Sequence, residues 1–217
     1  MVSISDQARK SFYLKRLLPL AVLLIIGALI GGFAVWPLSP MNLAKGQNAT
    51  ESGFMAHWRA GDLVVLVRHA ERCDRSSTAC LGPRDGITLE GSHASAQLGA
   101  ALTTLGMDGT DVLSSPLTRT AQTALYMFNR PSTEQAWLVN CDADMIGDIH
   151  AHKVPGRNLL LVTHSGCIGN VEARLGFPHA KFTDYNSALF ATLGSDGKLR
   201  VLGVVNVQDW PLVLGRN

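Results

Sequence analysis

Charged residues are scarce in this 217-residue chain, where 19 Lys and Arg stand against 17 Asp and Glu, 17% in all, for a formal net charge of +2. A soluble domain usually carries about a quarter. The near balance excludes a disordered polyelectrolyte and a strongly basic nucleic-acid binder. Only four cysteines occur and none forms a CxxC pair, which argues against cysteine-based nucleophilic chemistry. Of the seven histidines only His150 and His152 stand close together, and no metal-ligand pattern surrounds them. Internal repeats and low-complexity tracts are also lacking.

The shortage of charge is partly local, because residues 17–44 hold no charged side chain over 28 positions. Within them, residues 17–37 read LLPLAVLLIIGALIGGFAVWP. About 20 apolar residues at 1.5 Å each suffice to cross a hydrocarbon core roughly 30 Å thick. Arg9, Lys10, Lys15 and Arg16 precede the segment, and such a basic flank stays in the cytoplasm. The expectation is a cytoplasmic stretch at 1–16, a transmembrane signal-anchor at 17–37, a linker at 38–53 and one exported domain at 54–217. A signal peptide cleaved near Gly32-Phe33-Ala34 is the alternative, and it also exports the domain. Cys73, Cys80, Cys141 and Cys167 suit a compartment where disulfides persist. A Cys73–Cys80 bridge is easy to close locally and leaves Cys141 and Cys167 to pair by default; buried thiols are the alternative.

Two short apolar runs, LVVLV at 63–67 and NLLLVT at 158–163, suit central strands of a parallel sheet. Residues 91–105 place Ala94, Leu98, Ala101, Leu102 and Leu105 at helical spacing, and 111–114 begin a strand that turns at Ser115-Pro116 into a helix over 117–128. Residues 188–193 and 199–205 flank a Gly-Ser-Asp-Gly turn and read as an antiparallel edge hairpin. The fold class expected is an α/β, three-layer α/β/α sandwich with a mostly parallel central sheet, an antiparallel edge hairpin and a preceding transmembrane helix.

Chemistry gathers where the strands stop. LVVLV runs into Arg68-His69-Ala70-Glu71-Arg72, and LLLVT into His164-Ser165-Gly166. Ligands of open α/β sheets bind beyond the carboxyl ends of the strands, so neighbouring strands would turn both histidines toward one crevice. Arg119, near the start of the 117–128 helix, adds a guanidinium fork to what reads as an anion site.

The blocks LVRHAE, ITLEG, SSPLTRTAQTA and LVTHSG, in this order, resemble the histidine phosphatase (phosphoglycerate mutase-like) superfamily. The cysteine-bearing stretch RHAERCDRSSTACL, with Cys141 before a carboxylate and Cys167 after His164, is similar to the exported Ais-type lipopolysaccharide core heptose-phosphate phosphatases of Gram-negative bacteria. The resemblance implies a phosphate pocket of Arg68, His69, Arg119 and His164, with His69 as nucleophile and a phosphohistidine intermediate. It implies no metal and no other cofactor, a periplasmic location, and a sugar-phosphate substrate from the lipopolysaccharide core. The family's leaving-group acid falls on Asp144, with Asp142 as the alternative. Glu71 and Arg72 are placed to reach the substrate; Arg75 and Arg84 read first as solvated loop charges, with contact to a second phosphate as the alternative. A phosphosugar-binding envelope protein without turnover is the reading from another class. Membrane contact is expected through the N-terminal helix and nucleic acid is not expected as a partner.

Overall fold

A run such as LVVLV has no polar face, so as a strand it must be covered on both sides. Strand β1 (Leu63–Arg68) is so covered, with Leu63, Val65 and Val67 entering one core and Val64 and Leu66 another. The computed structural model describes residues 4–35, 39–141, 144–181 and 183–215, and the chain divides into two units, Met1–Pro37 and Leu38–Asn217.

The first unit holds helix α1 (Ile4–Val35). Its large apolar side chains from Leu17 to Phe33 are exposed, Leu24 by 75%. Among the described residues no helix is long and apolar enough to cross a membrane, so the span expected at 17–37 is not carried by the structure. Trp36 and Pro37, the end of that expected span, lie outside the described residues.

In the second unit α2 (Asn48–Glu51) and α3 (Phe54–Ala60) precede β1. Then follow α4 (Leu89–Leu105), β2 (Thr110–Ser114), α5 (Thr118–Phe128), β3 (Thr133–Glu134), α6 (Met145–His152), β4 (Asn158–Thr163), α7 (Ser165–Arg174), β5 (Ala188–Leu193), β6 (Leu199–Val205) and α8 (Trp210–Leu214). The six strands form one mixed sheet in the order β3-β2-β4-β1-β5-β6. The first four are mutually parallel, and β5 and β6 make the antiparallel hairpin at the edge. Leu98 and Leu102 of α4, Ala124 and Met127 of α5 and Trp210 of α8 fill the core on one face. Met145 and Ile149 of α6 with Ile168 and Val171 of α7 fill the other. Helices thus cover both faces, as the two-sided apolar strands require.

Residues 39–53, read as a linker, pack on the domain. Leu43 is fully buried and its N–H donates to the Val204 carbonyl of β6 at 2.9 Å. The few apolar residues of this polar stretch, Leu43, Ala44 and Ala49, anchor it in the core. Helices α4 and α5 meet backbone to backbone, because a Cβ at Gly99 would stand 1.8 Å from the Met127 carbonyl oxygen. Buried Asn158 clamps the start of β4, accepting from Leu63 N–H at 3.0 Å and donating to the Trp58 carbonyl at 2.9 Å.

Both expected disulfides are present, Cys73–Cys80 and Cys141–Cys167, and no described cysteine is free. Closing loops of 7 and 26 residues stabilises a fold by about 2 and 3.5 kcal/mol on chain entropy alone. The longer bridge ties the segment before α6 to the first turn of α7.

Candidate active site

The register of the sheet assembles the site. Arg68, the last residue of β1, pairs with Thr163, the last of β4, so the next residues of both strands emerge side by side. The His69 N–H donates to the Thr163 carbonyl at 3.0 Å, and the His69 and His164 rings lie 5.4 Å apart at 61°. On the other side of β4, β2 ends at Ser114 opposite Val162, and buried Ser115 turns the chain toward α5. Arg119 sits in the first turn of that helix, with its Nη2 3.3 Å from His164 Nδ1.

Hydrogen-bond partners assign the protons. A carbonyl only accepts, so His69 Nδ1, 2.8 Å from the Ala70 oxygen, is the protonated nitrogen and Nε2 keeps its lone pair. A guanidinium only donates, so His164 Nδ1 accepts from Arg119, and its protonated Nε2 donates to Ser115 Oγ at 3.0 Å. Ala70 is held in turn, since its N–H donates to Thr123 Oγ1 of α5 at 2.9 Å. Both imidazoles are neutral. Burial, then the neighbouring His164, Arg119 and Arg68, lower the pKa of His69 to about 3, against an opposing pull from its bond to Ala70. Burial and the charges of Arg119 and Arg72 lower that of His164 to about 4.

These shifts have a sign. Above the ordinary value of 6.5 folded and unfolded chains agree. Below it the unfolded chain takes up protons that the buried rings refuse, so the stability these neutral histidines contribute is lost as the pH falls toward about 3. Glu172 on α7, buried, with its carboxyl pushed up to about 7, acts in the opposite sense and loses stability as pH rises from 4.5. The difference in unfolding free energy between wild type and His69→Gln isolates the histidine. It is expected to shift in favour of wild type as pH rises from about 3 to 6.5, and a difference independent of pH there would refute the assignment.

Burial holds the guanidinium groups of Arg68 and Arg119 below their usual pKa, with both still charged. The Nε atoms of both are buried without a hydrogen-bond partner among the described residues. Two desolvated forks with unspent donors, beside a neutral imidazole with a free lone pair, are an arrangement suited to gripping an anion. Arg68 is steadied by the Thr183 carbonyl, to which Nη1 donates, and by the Tyr185 ring, 3.9 Å from its guanidinium carbon.

Other residues expected here make contacts within the domain. Glu71 accepts from Thr78 at 3.1 Å and Thr88 at 2.9 Å, bracing the Cys73–Cys80 loop against α4. Arg72 donates to Asp74, yet its charge bears on both Arg119 and His164. Arg75 and Arg84 are exposed. Asp144 is the N-cap of α6: its exposed carboxylate accepts from Gly147 N–H at 3.1 Å and pairs with Arg174 at 3.5 Å. Asp142 lies outside the described residues. Replacing Asp144 by Ala is expected to lower stability by about 1 kcal/mol in denaturant unfolding. A more than roughly tenfold fall in kcat would instead make it the proton donor. Ser115 and Thr123 belong to the SSPLTRTAQTA block, but Tyr185 stands in a loop with no signal around it.

No family model matches the chain. Among solved structures, the protein histidine phosphatase SixA complexed with tungstate superposes with a TM-score of 0.53 at 20% identity, covering 68% of this chain and 98% of that one. This is the histidine phosphatase fold. A second structure with that fold, a mycobacterial glucosyl-3-phosphoglycerate phosphatase complexed with VO3, superposes at 0.51 with 15% identity, over 67% of this chain and 98% of that one. In sequence the chain is 36% identical over 110 residues to the lipopolysaccharide core heptose(II)-phosphate phosphatases of Escherichia coli strain SE11 and of Escherichia coli O8 strain IAI1. That stretch is 49% of this chain and 54% of each relative, so the chain spans about half the length of the curated relatives it matches. The resemblance read from the motifs therefore holds in fold and in sequence.

Proposed function

We propose that the chain is a phosphomonoesterase acting through a phosphohistidine on His69. The observation that carries this is the locked tautomer, with Nδ1–H held on the Ala70 carbonyl, the Nε2 lone pair left available, and the charges of Arg119 and Arg68 bearing on the ring. Nε2 attacks phosphorus and the ester P–O bond breaks, its electrons leaving with the alkoxide, which takes up a proton. Water then attacks the phosphohistidine and releases inorganic phosphate. Arg68 and Arg119 hold the non-bridging oxygens throughout, and this charge stabilisation is the main catalytic contribution. A bound dianion raises the pKa of His164, whose imidazolium charge then helps to stabilise the phosphoryl group.

The substrate proposed is a heptose phosphate of the lipopolysaccharide core, supported by the sequence relatives. Export fits the two disulfides. We propose that residues 17–37 serve as anchor or cleaved signal, consistent with the exposed apolar side chains of α1. The capping role of Asp144 favours one competing reading, a protein that binds the phosphosugar without turnover.

Phosphate release from a sugar phosphomonoester by the full chain in detergent, undiminished by EDTA, is the expected result. Tight phosphate binding with no release from any phosphosugar would favour the binder. Mass spectrometry of the lipid A and core fraction, from cells with and without the protein, identifies the substrate: loss of one heptose phosphate is expected, and unchanged core phosphate would exclude it.

A further inference from the structure

Residues 183–187, between α7 and β5, wrap around Arg68. The Asn186 N–H donates to the Arg68 carbonyl at 3.2 Å and the Arg68 N–H to the Ser187 carbonyl at 3.0 Å. The side chain of Arg68 meets the same segment through the Thr183 carbonyl and the face of Tyr185. The Tyr185 ring also neighbours the nucleophile, its centroid 5.7 Å from that of His69. The segment is itself fixed. Asn186 is buried in a left-handed conformation, φ 57°, and its Nδ2 donates to Ser95 Oγ of α4 at 2.9 Å. Ser187 Oγ donates to the Asp184 carbonyl at 2.7 Å. A rigid strap therefore presents the ring.

An arginine has a long side chain, and its guanidinium grips a phosphoryl group only if its plane is set in advance. Here one face of the plane lies on an aromatic ring and one Nη on a carbonyl. We infer that Tyr185 is a positioning residue of the phosphate site, holding the guanidinium of Arg68 in the orientation from which it grips the phosphoryl oxygens. The inference rests on the phosphate pocket proposed above and not on turnover.

The test is calorimetric binding of inorganic phosphate to the full chain. Tyr185→Leu is expected to weaken binding about tenfold, whereas Tyr185→Phe, which keeps the ring and loses only the hydroxyl that also bonds Arg68, stays within about threefold. In an Arg68→Gln background the Leu substitution costs less than about twofold, because the group it positions is gone. Should the Leu chain fail to fold, Tyr185→Met carries the same expectation. Wild-type affinity in the Leu or Met variant, an equal loss in the Phe variant, or an undiminished effect without Arg68 would each overturn the role of Tyr185 alone. A wild-type chain that binds no phosphate would overturn the pocket as well.

Discussion

His69→Gln is expected to lower kcat by roughly 10^4-fold or more while leaving phosphate binding within about tenfold of wild type. Glutamine keeps a hydrogen-bond donor for the Ala70 carbonyl but offers no nitrogen lone pair to phosphorus. The forks of Arg68 and Arg119 do not depend on the imidazole, so the anion site outlasts the nucleophile. Parallel measurement of turnover and phosphate affinity separates the two. Turnover surviving in this variant would mean that another group attacks phosphorus.

The second large effect belongs to Arg119. Its guanidinium does two things, donating toward His164 Nδ1 and depressing the pKa of that ring. Arg119→Ala is expected to cut kcat/KM by about 10^2 to 10^3-fold, the usual cost of removing one preorganised donor from a developing oxyanion. The same substitution moves the His164 pKa up from about 4 toward its ordinary value, because a positive neighbour is removed. Imidazole titration by NMR reads that shift without any substrate. A loss of turnover with an unmoved His164 titration would mean that Arg119 does not lie where it can serve both groups.

The legible parts of this chain are those whose burial is one-dimensional. LVVLV and LLLVT read correctly as central strands because a strand covered on both faces leaves a run of apolar residues, and β-pairing then brings His69 and His164 together without further information. Arg119 was legible because the Ser115-Pro116 turn sets the start of α5. Asp144 shows the opposite case. An acid placed just before the apolar run of α6 reads equally as a proton donor or a helix cap, and the Gly147 and Arg174 contacts show the capping geometry only. Tyr185 was silent, since its position under Arg68 depends on the conformation of Asn186 and on Ser95 of α4, which lies 91 residues before Asn186 in sequence. Residues 39–53 misled because three small or medium apolar side chains anchor an otherwise polar stretch.

The covalent intermediate is the most direct test. Full-length protein turning over a sugar phosphate would be denatured rapidly in alkali, where phosphohistidine survives, and its peptides analysed by mass spectrometry. One phosphoryl group on His69, absent from His69→Gln, is the predicted result; turnover without a labelled protein, or a label on any other residue, would contradict it.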